Sequence, residues 1–301
     1  MNGKVLALDI GATKAAVGLF DHQLHLSKRV EIPTGKNENI WDSLSFVISE
    51  LIKDSVIEGV GIGSAGPLHL EKGAISPVNI PTWREFPIVQ KLAELLNLEQ
   101  ERINLHGDAI ALANAEHKVG AGQGLQNMLG MVVSTGIGGG LVLDGKLQLG
   151  ITGNSGYFGH HSISFESDPC VCGRIGCVEM FASGPMMVEY AKSIGADSSI
   201  TTFEDLYAEA ESGNSAAIKS IKRGADALAQ AIVNVLCILD IKSVVVGGGV
   251  IQSGDLYWSE LEARVQHHAQ FAKFIGKVDL RKSTLSKDAG LIGAALAYLD
   301  M

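Results

Sequence analysis

The chain has 301 residues, 46% of them hydrophobic, and a formal net charge of −9, which together predict two domains with substantial apolar cores. No basic stretch is dense enough to follow a phosphate backbone, so nucleic acid is not an expected partner. The sequence shows neither an apolar run near the ~20 residues of a membrane span nor an export signal before Val5, and we expect a cytoplasmic protein.

The first part of the chain alternates between strand and helix patterns. Apolar residues at Ile40, Leu44, Val47 and Leu51 follow the helical period. The run from Gly63 to Pro67 is typical of a turn. We predict strands at 5–9, 14–20, 25–32, 56–63 and 102–105, and helices at 39–54, at 87–97 and from 108 onward.

A second cycle begins near residue 128 and repeats the opening hairpin of strand, glycine turn and strand. We predict strands at 128–134, 140–144, 243–246 and 276–281, and helices at 183–195, 203–211, 214–239, 255–269 and 288–299. This order favours an α/β protein of two related lobes with a cleft. The expected lobes are 1–117, with the final helix 288–301 packing back onto it, and a larger lobe of 118–287.

Three of the four cysteines lie within eight residues, at Cys170, Cys172 and Cys177, and His160 precedes the first by ten. Three thiols and one imidazole are typical of a closed structural zinc site. The alternatives are scattered buried cysteines or one disulfide with a spare cysteine, but this glycine-containing run is polar loop sequence. A closed site has no position for catalytic water, so the zinc would order a loop. Cys237, in an apolar run, is predicted to be a core residue.

Three glycine turns follow predicted strands, at 9–14, 134–140 and 247–249. Glycine lets backbone N–H groups approach phosphate oxygens, and threonine hydroxyls can donate to the same oxygens. None of the three is a P-loop or a dinucleotide-binding turn. Each one alone is typical of an ordinary hairpin turn, whereas the three together favour a nucleotide site.

Two aspartates are candidates for phosphoryl-transfer chemistry. Asp9, at the end of the first strand, is placed to hold Mg²⁺ directly or through water. Asp108 follows a short strand and opens a helix, where it can cap the helix, act as a general base, or do both.

Together these segments resemble the ROK family of repressors, open reading frames and sugar kinases. The resemblance rests on Leu6 to Lys14, Gly63 to Pro67, the Asp108 helix start, Ser134 to Gly140, and the stretch from Gly159 through the cysteines to Glu179. It covers essentially the whole chain. It implies a two-lobed, actin-like, hexokinase-type ATPase fold with a structural zinc loop at 160–177. It also implies ATP with Mg²⁺, transfer of phosphate to the 6-hydroxyl of a hexose or N-acylhexosamine, and a homodimer.

The resemblance assigns roles by position. Asp108 corresponds to the catalytic base and also faces the sugar. Expected cofactor-binding positions are Asp9, Gly11, Thr13, Lys14, Thr135, Gly136, Gly138, Gly247 and Gly248. Expected sugar-binding positions are Gly66, Asn79, Tyr157, His160 and Glu179, and His160 is also an expected zinc ligand with Cys170, Cys172 and Cys177.

Two positions depart from the family pattern. Gly107 stands where the family has Asn before the base, and Tyr157 stands where it has Glu before Gly-His. A phenol is a weaker acceptor than a carboxylate, so the sugar pocket is altered. N-acetylmannosamine kinases in the family also lack that Glu, and N-acetylmannosamine is therefore the expected substrate.

Other functions within the family remain as alternatives. They are a glucokinase, an N-acetylglucosamine kinase, and a catalytically weak sugar sensor suggested by Gly107 and Tyr157. Retention of Asp108 argues against the sensor. A family repressor would need a helix-turn-helix before the first phosphate strand, and Val5 leaves no room for one.

Overall fold

The computed structural model describes residues 3–11, 13–34, 39–78, 80–166, 169–285 and 288–300. The chain divides into two units. The first comprises Met1–Gly120, Lys146–Ser155 and Leu285–Met301, and the second comprises Ala121–Gly145 and Gly156–Thr284. Residues 146–155, which the sequence analysis placed in the second lobe, cluster with the first unit. The Asn154 side chain there accepts the N–H of Leu68 (2.8 Å) and donates to its carbonyl (3.0 Å).

Strands and helices alternate along both units. The strands are β1 Lys4–Ile10, β2 Lys14–Phe20, β3 Leu26–Pro33, β4 Ile57–Ser64, β5 Leu68–His69, β6 Ala74–Ile75, β7 Ile103–Gly107, β8 Met128–Val133, β9 Ile137–Leu143, β10 Lys146–Gln148, β11 Ser243–Gly247 and β12 Asp279–Lys282. The α-helices are α1 Ile40–Ile52, α2 Ile88–Leu96, α3 Asp108–Val119, α4 Glu179–Ala182, α5 Gly184–Ser193, α6 Phe203–Glu211, α7 Ser215–Leu239, α8 Gly249–Gln252, α9 Asp255–Ala269 and α10 Ala289–Leu299.

In the first unit, five strands form one sheet in the order β3-β2-β1-β4-β7. The pairs β3-β2 and β2-β1 are antiparallel, and β1-β4 and β4-β7 are parallel. Alternate residues of β1 serve two cores, because successive side chains point to opposite faces of a sheet. Leu6 and Leu8 join the cluster that includes α1 and α2, whereas Val5 and Ala7 join α10.

The second unit repeats this plan. Its strands follow the order β9-β8-β11-β12, with β9-β8 antiparallel and β8-β11 and β11-β12 parallel. The long helix α7 supplies much of the core, including Leu228 and Ile232. The partly buried Cys237 packs against that core.

The predicted α/β fold is confirmed, and two strands begin three residues away from their predicted starts: β12 at Asp279 instead of 276, and β9 at Ile137 instead of 140. The glycines of 135–139 predict a turn, but β9 already begins at Ile137. Its glycines are strand residues that leave room for close neighbours: Gly139 donates its N–H to the Gly156 carbonyl (3.1 Å), and a Cβ at Gly139 would lie 2.6 Å from the Phe158 ring. No helix among the described residues has the length and apolar character needed to cross a membrane.

Candidate functional site

The carboxyl ends of β1, β4 and β7 lie at one edge of the first unit's sheet, because these strands are parallel. Asp9 lies opposite Gly63 in the β1-β4 register, and Asp108 begins α3 directly after β7. Gly63 lies close to the start of α3, since a Cβ built there would be 3.4 Å from the Cβ of Ala111 and 3.7 Å from the Cα of Asp108. Polar groups at such an edge are typical of ligand sites in α/β proteins.

Both carboxyls at this edge hold protons more tightly than usual. Burial, and then the negative charge of Asp108, raise the pKa of Asp9 to about 7. Burial also raises the pKa of Asp108, while the backbone N–H of Ala109, which donates to its Oδ1 (2.7 Å), opposes the rise. A carboxylate with a raised pKa is a better proton acceptor, and Asp108 has that property.

The turn between β1 and β2 carries Gly11, Thr13 and Lys14. The N–H of Gly11 donates to the Lys14 carbonyl (3.0 Å), and the Thr34 hydroxyl donates to the Gly11 carbonyl (3.0 Å). The Lys14 ammonium pairs with Glu31 (2.7 Å) but remains more than half exposed. The described residues of this turn therefore include a hydrogen-bonded Gly11 and an accessible cation at Lys14, which suit a phosphate group.

The predicted sugar loop of the first unit contains Gly66, which is partly buried. Asn79 lies outside the described residues. Arg84 was not among the predicted site residues. Its guanidinium donates to the carbonyls of Pro77 (2.7 Å), Ile80 (3.1 Å) and Trp83 (3.2 Å). A single arginine after a tryptophan forms no recognisable sequence pattern, so these contacts with backbone carbonyls could not be predicted from the sequence.

The turn of the second unit, Ser134 to Gly136, joins β8 to β9. Thr135 is exposed, and Gly136 and Gly138 are partly buried. The N–H of Ser134 donates to the Gly136 carbonyl (2.9 Å), which makes the turn tight. Exposed hydroxyl and backbone groups in such a turn are suitable phosphate ligands.

Glu179, predicted to accept a sugar hydroxyl, begins α4 and contacts this same turn. Its Oε2 accepts the N–H of Ile137 at 2.8 Å. A carboxylate oxygen has more than one acceptor position, so a ligand hydroxyl can still be accepted. The sequence showed Glu179 beside the cysteines but gave no sign of its contact with residue 137.

The third glycine turn follows β11. Gly248 has φ +99°, a conformation that side chains disfavour, and a Cβ there would overlap the carbonyl of Val133. Gly247 is similarly close to Ser283, 2.8 Å from a would-be Cβ to the Ser283 Cβ. Packing alone therefore requires these two glycines, whether or not they also contact a nucleotide.

His160, Cys170, Cys172 and Cys177 come together as predicted, with their ligand atoms all within 4.8 Å of one another. The Sγ of Cys170 lies 3.5 Å from Nδ1 of His160, and the Sγ of Cys172 lies 3.6 Å from that of Cys177. All three cysteines are free thiols, so the alternative of a disulfide does not hold.

The donor set of this cluster fits zinc. Burial, followed by the two neighbouring thiols, raises the pKa of Cys177 to about 12. A divalent cation bound by the three thiols would favour their thiolate forms. The Tyr157 ring, 43% exposed, lies 5.9 Å from the His160 ring and so belongs to the same surface.

The predicted site residues are thus divided among the two units. Asp9, Gly11, Thr13, Lys14, Gly66 and Asp108 lie in the first unit. The remaining described ones lie in the second: Thr135, Gly136, Gly138, Tyr157, His160, Cys170, Cys172, Cys177, Glu179, Gly247 and Gly248.

Known proteins similar to this chain include an N-acetylmannosamine kinase from Citrobacter koseri, 34% identical over 297 residues that cover 97% of each chain. A crystal structure of a ROK hexokinase from Thermus thermophilus is 33% identical, with a TM-score of 0.84, and covers 99% of this chain and 98% of that one. A ROK family glucokinase from Streptomyces griseus, solved with glucose and AMPPNP, is 27% identical, with a TM-score of 0.81 and coverage of 97% and 98%.

The model of the ROK family matches residues 5–300, nearly the entire chain. The match includes both hairpin turns, the Asp108 helix start and the His-Cys cluster. The predicted resemblance is confirmed, and the chain belongs to the ROK family.

Proposed function

We propose that this protein transfers the γ-phosphoryl group of ATP to the 6-hydroxyl of N-acetylmannosamine, with Asp108 as general base. The chain is a sugar kinase, as its kinase relatives in the ROK family support. The N-acetylmannosamine kinase relative at 34% identity supports the finer choice of sugar.

The observation that carries the proposal is the pair of carboxyls at the edge of the first unit's sheet. Phosphoryl transfer needs one group that accepts the proton of the attacking hydroxyl and another that holds charge near the phosphates. Asp108, with its raised pKa at the start of α3, suits the first role. Asp9, two residues before Gly11 and the turn that Gly11 begins, suits the second role.

In the proposed reaction, the sugar 6-hydroxyl oxygen attacks the γ-phosphorus, and its proton moves to a carboxylate oxygen of Asp108. The bond from the γ-phosphorus to the β,γ-bridging oxygen breaks, and ADP leaves with that electron pair. The hydroxyls of Thr13 and Thr135, with the Lys14 ammonium, are the proposed donors to phosphate oxygens that orient the γ-phosphoryl group.

Two metal ions have residues that suit them. Mg²⁺, when bound, would neutralise phosphate charge, and Asp9 would hold it directly or through water. The zinc would be held by His160, Cys170, Cys172 and Cys177, and would order the loop of residues 160–177, which Tyr157 precedes and Glu179 follows.

Gly107 supports the choice of an N-acylhexosamine as the substrate. A Cβ at this position would meet only the Ile110 side chain at 3.4 Å, and φ is −64°, so neither packing nor backbone geometry requires glycine. The missing side chain leaves room beside Asp108 for a substituent on the sugar. The Tyr157 phenol adds an apolar face that suits an acetyl methyl group.

The test is ADP release with ATP and a panel of N-acetylmannosamine, N-acetylglucosamine, mannose and glucose, compared by kcat/KM. We expect N-acetylmannosamine to give the highest value, and its 6-deoxy analogue to give no ADP. A preference for glucose would overturn the choice of substrate, and absence of ADP release with every sugar would overturn the kinase activity. The cytoplasmic location and the homodimer stay predictions.

A further inference from the structure

The zinc loop, residues 160–177, is held at its first residues by contacts with β9, the strand that follows the Ser134 to Gly136 turn. The 3-10 helix Phe158–His160 packs against β9. A side chain at Gly159 would overlap the Ile137 carbonyl, and Phe158 occupies the space beside Gly139. The segment that brings His160 to the metal cluster is therefore in van der Waals contact with the first residues of β9.

The end of the loop is attached to the same turn by hydrogen bonds. Glu179, two residues after Cys177, accepts the N–H of Ile137 (2.8 Å). Gly184, at the start of α5, donates its N–H to the Ser134 carbonyl (2.9 Å). One continuous segment, 179–184, thus fixes both ends of the turn.

We propose that Glu179 is a positioning residue for nucleotide binding, acting on the Ser134 to Gly136 turn through the Ile137 amide. The proposal rests on the function proposed above. Glycine-rich backbone has many accessible conformations, and a charge-assisted hydrogen bond selects one of them. A turn already held in its binding conformation loses less entropy when phosphate binds. The zinc loop therefore supports the nucleotide as well as the sugar.

Packing on the turn is consistent with this role. A Cβ at Gly136 would lie 2.9 Å from Oε2 of Glu179, so only glycine allows the carboxylate to approach this closely. The alternative is that Glu179 contacts the sugar alone. The two roles differ in one condition: a residue that contacts only sugar cannot alter nucleotide affinity when no sugar is present.

The experiment is calorimetric titration of the full chain, with its zinc, by a non-hydrolysable ATP analogue and Mg²⁺ in the absence of sugar. Glu179→Ala should weaken nucleotide affinity about tenfold, since a hydrogen bond to a charged group is lost. Glu179→Gln should recover most of that affinity, because its amide oxygen still accepts the Ile137 N–H. Glu179→Asp keeps the charge but is one methylene shorter, and should behave like Glu179→Ala.

Glu189→Ala is the matched control, because its carboxylate pairs with Lys192 on an exposed part of α5, and it should leave the affinity unchanged. Equal affinities for wild type, Glu179→Ala and Glu179→Asp would overturn the proposal. A wild-type protein that binds no nucleotide would instead overturn the proposed function.

Amide hydrogen exchange tests the contact itself, whatever the activity. In ligand-free protein, peptides covering 134–139 should exchange faster in Glu179→Ala than in wild type or Glu179→Gln, while α7 stays equally protected. Unchanged exchange at 134–139 would overturn the positioning role. Faster exchange throughout α7 as well would show general unfolding and overturn it too.

Discussion

The two hairpins, β1-β2 in the first unit and β8-β9 in the second, share one plan but fix their turns differently. In each, the first strand pairs antiparallel with the second and parallel with a later strand. The first turn follows Asp9 and is braced by Thr34. No carboxylate precedes the second turn. Glu179 and Gly184, which lie outside the hairpin, fix this turn by hydrogen bonds to Ile137 and Ser134.

This difference indicates a division of work. In the proposed reaction, the first unit supplies the general base and the Mg²⁺ ligand, because Asp108 and Asp9 lie there and both have raised pKa values. In the same proposal, the second unit contributes neutral backbone groups that the zinc loop positions. Changes in the first unit should therefore lower turnover, and changes in the second should weaken binding.

Asp108→Asn should have the largest effect and is the most direct way to break this division. Loss of a positioned base typically costs about 10²–10⁴-fold in rate. We expect kcat to fall in that range while affinity for the ATP analogue, measured by titration, stays within a few-fold. Turnover close to that of wild type would remove Asp108 from the mechanism and with it the assignment of chemistry to the first unit.

Cys172→Ser, in the second unit, should weaken ligand binding, in contrast to Asp108→Asn, which should lower turnover. Purified wild-type protein should contain one zinc per chain by metal analysis, and the variant should contain less. Affinities for sugar and nucleotide should both weaken, by about tenfold, because each hydrogen bond that the loop supports contributes roughly 1–2 kcal/mol. Cys237→Ser, outside the loop, is the control. Wild type without zinc, or a zinc-free variant with normal affinities, would contradict the role of the loop.

The double change Gly107→Asn with Tyr157→Glu tests how residues of the two units set the preference between glucose and N-acetylmannosamine. These substitutions restore the family pattern, one in each unit. Glucose lacks the acetamido group and should gain from the restored polar partners, which are worth about 1–3 kcal/mol when buried. The kcat/KM ratio of glucose to N-acetylmannosamine should rise about tenfold. Each single variant serves as a control, and an unchanged ratio would refute the substrate assignment.

Asp9→Asn should give the smallest effect, seen in stability. The pKa of Asp9 is about 7 in the folded protein and near 3.8 when unfolded. From pH 4 to 7 the folded state holds a proton that the unfolded state has released, so this group's stabilising contribution declines as pH rises through that window. Asparagine does not titrate. The melting temperature of the variant minus that of wild type, without divalent cations, should increase by a few degrees from pH 5 to pH 8; a constant difference would argue against the raised pKa.

Much of this architecture was predictable because its signals are local. The helices predicted at 203–211 and 255–269 coincide with α6, where Thr202 and Asp205 form a capping box, and with α9. Ligand spacing identified the His-Cys cluster. The glycine-rich start of β9 was mistaken for a turn, because its small residues serve close packing by Phe158 and Gly156.

Other parts of the site could not be predicted, since they depend on contacts distant in sequence. Glu179 and Ile137 are 42 residues apart, and Leu68 and Asn154 are 86 apart. Neither pair forms a pattern that a single sequence displays. The Arg84 contacts are local, but arginine donating to backbone carbonyls leaves no characteristic spacing.

The last helix, α10, has a consequence for biosynthesis. Gly59 and Gly61 of β4 leave space that Tyr298 and the backbone of Ala294 fill, and Leu291 of α10 completes the core around Val5 and Phe20. A ribosome releases residues 289–299 only after the whole second unit has been made. During translation, the first unit therefore lacks α10, the helix that packs on one face of its sheet. Residues 156–284 can begin folding earlier.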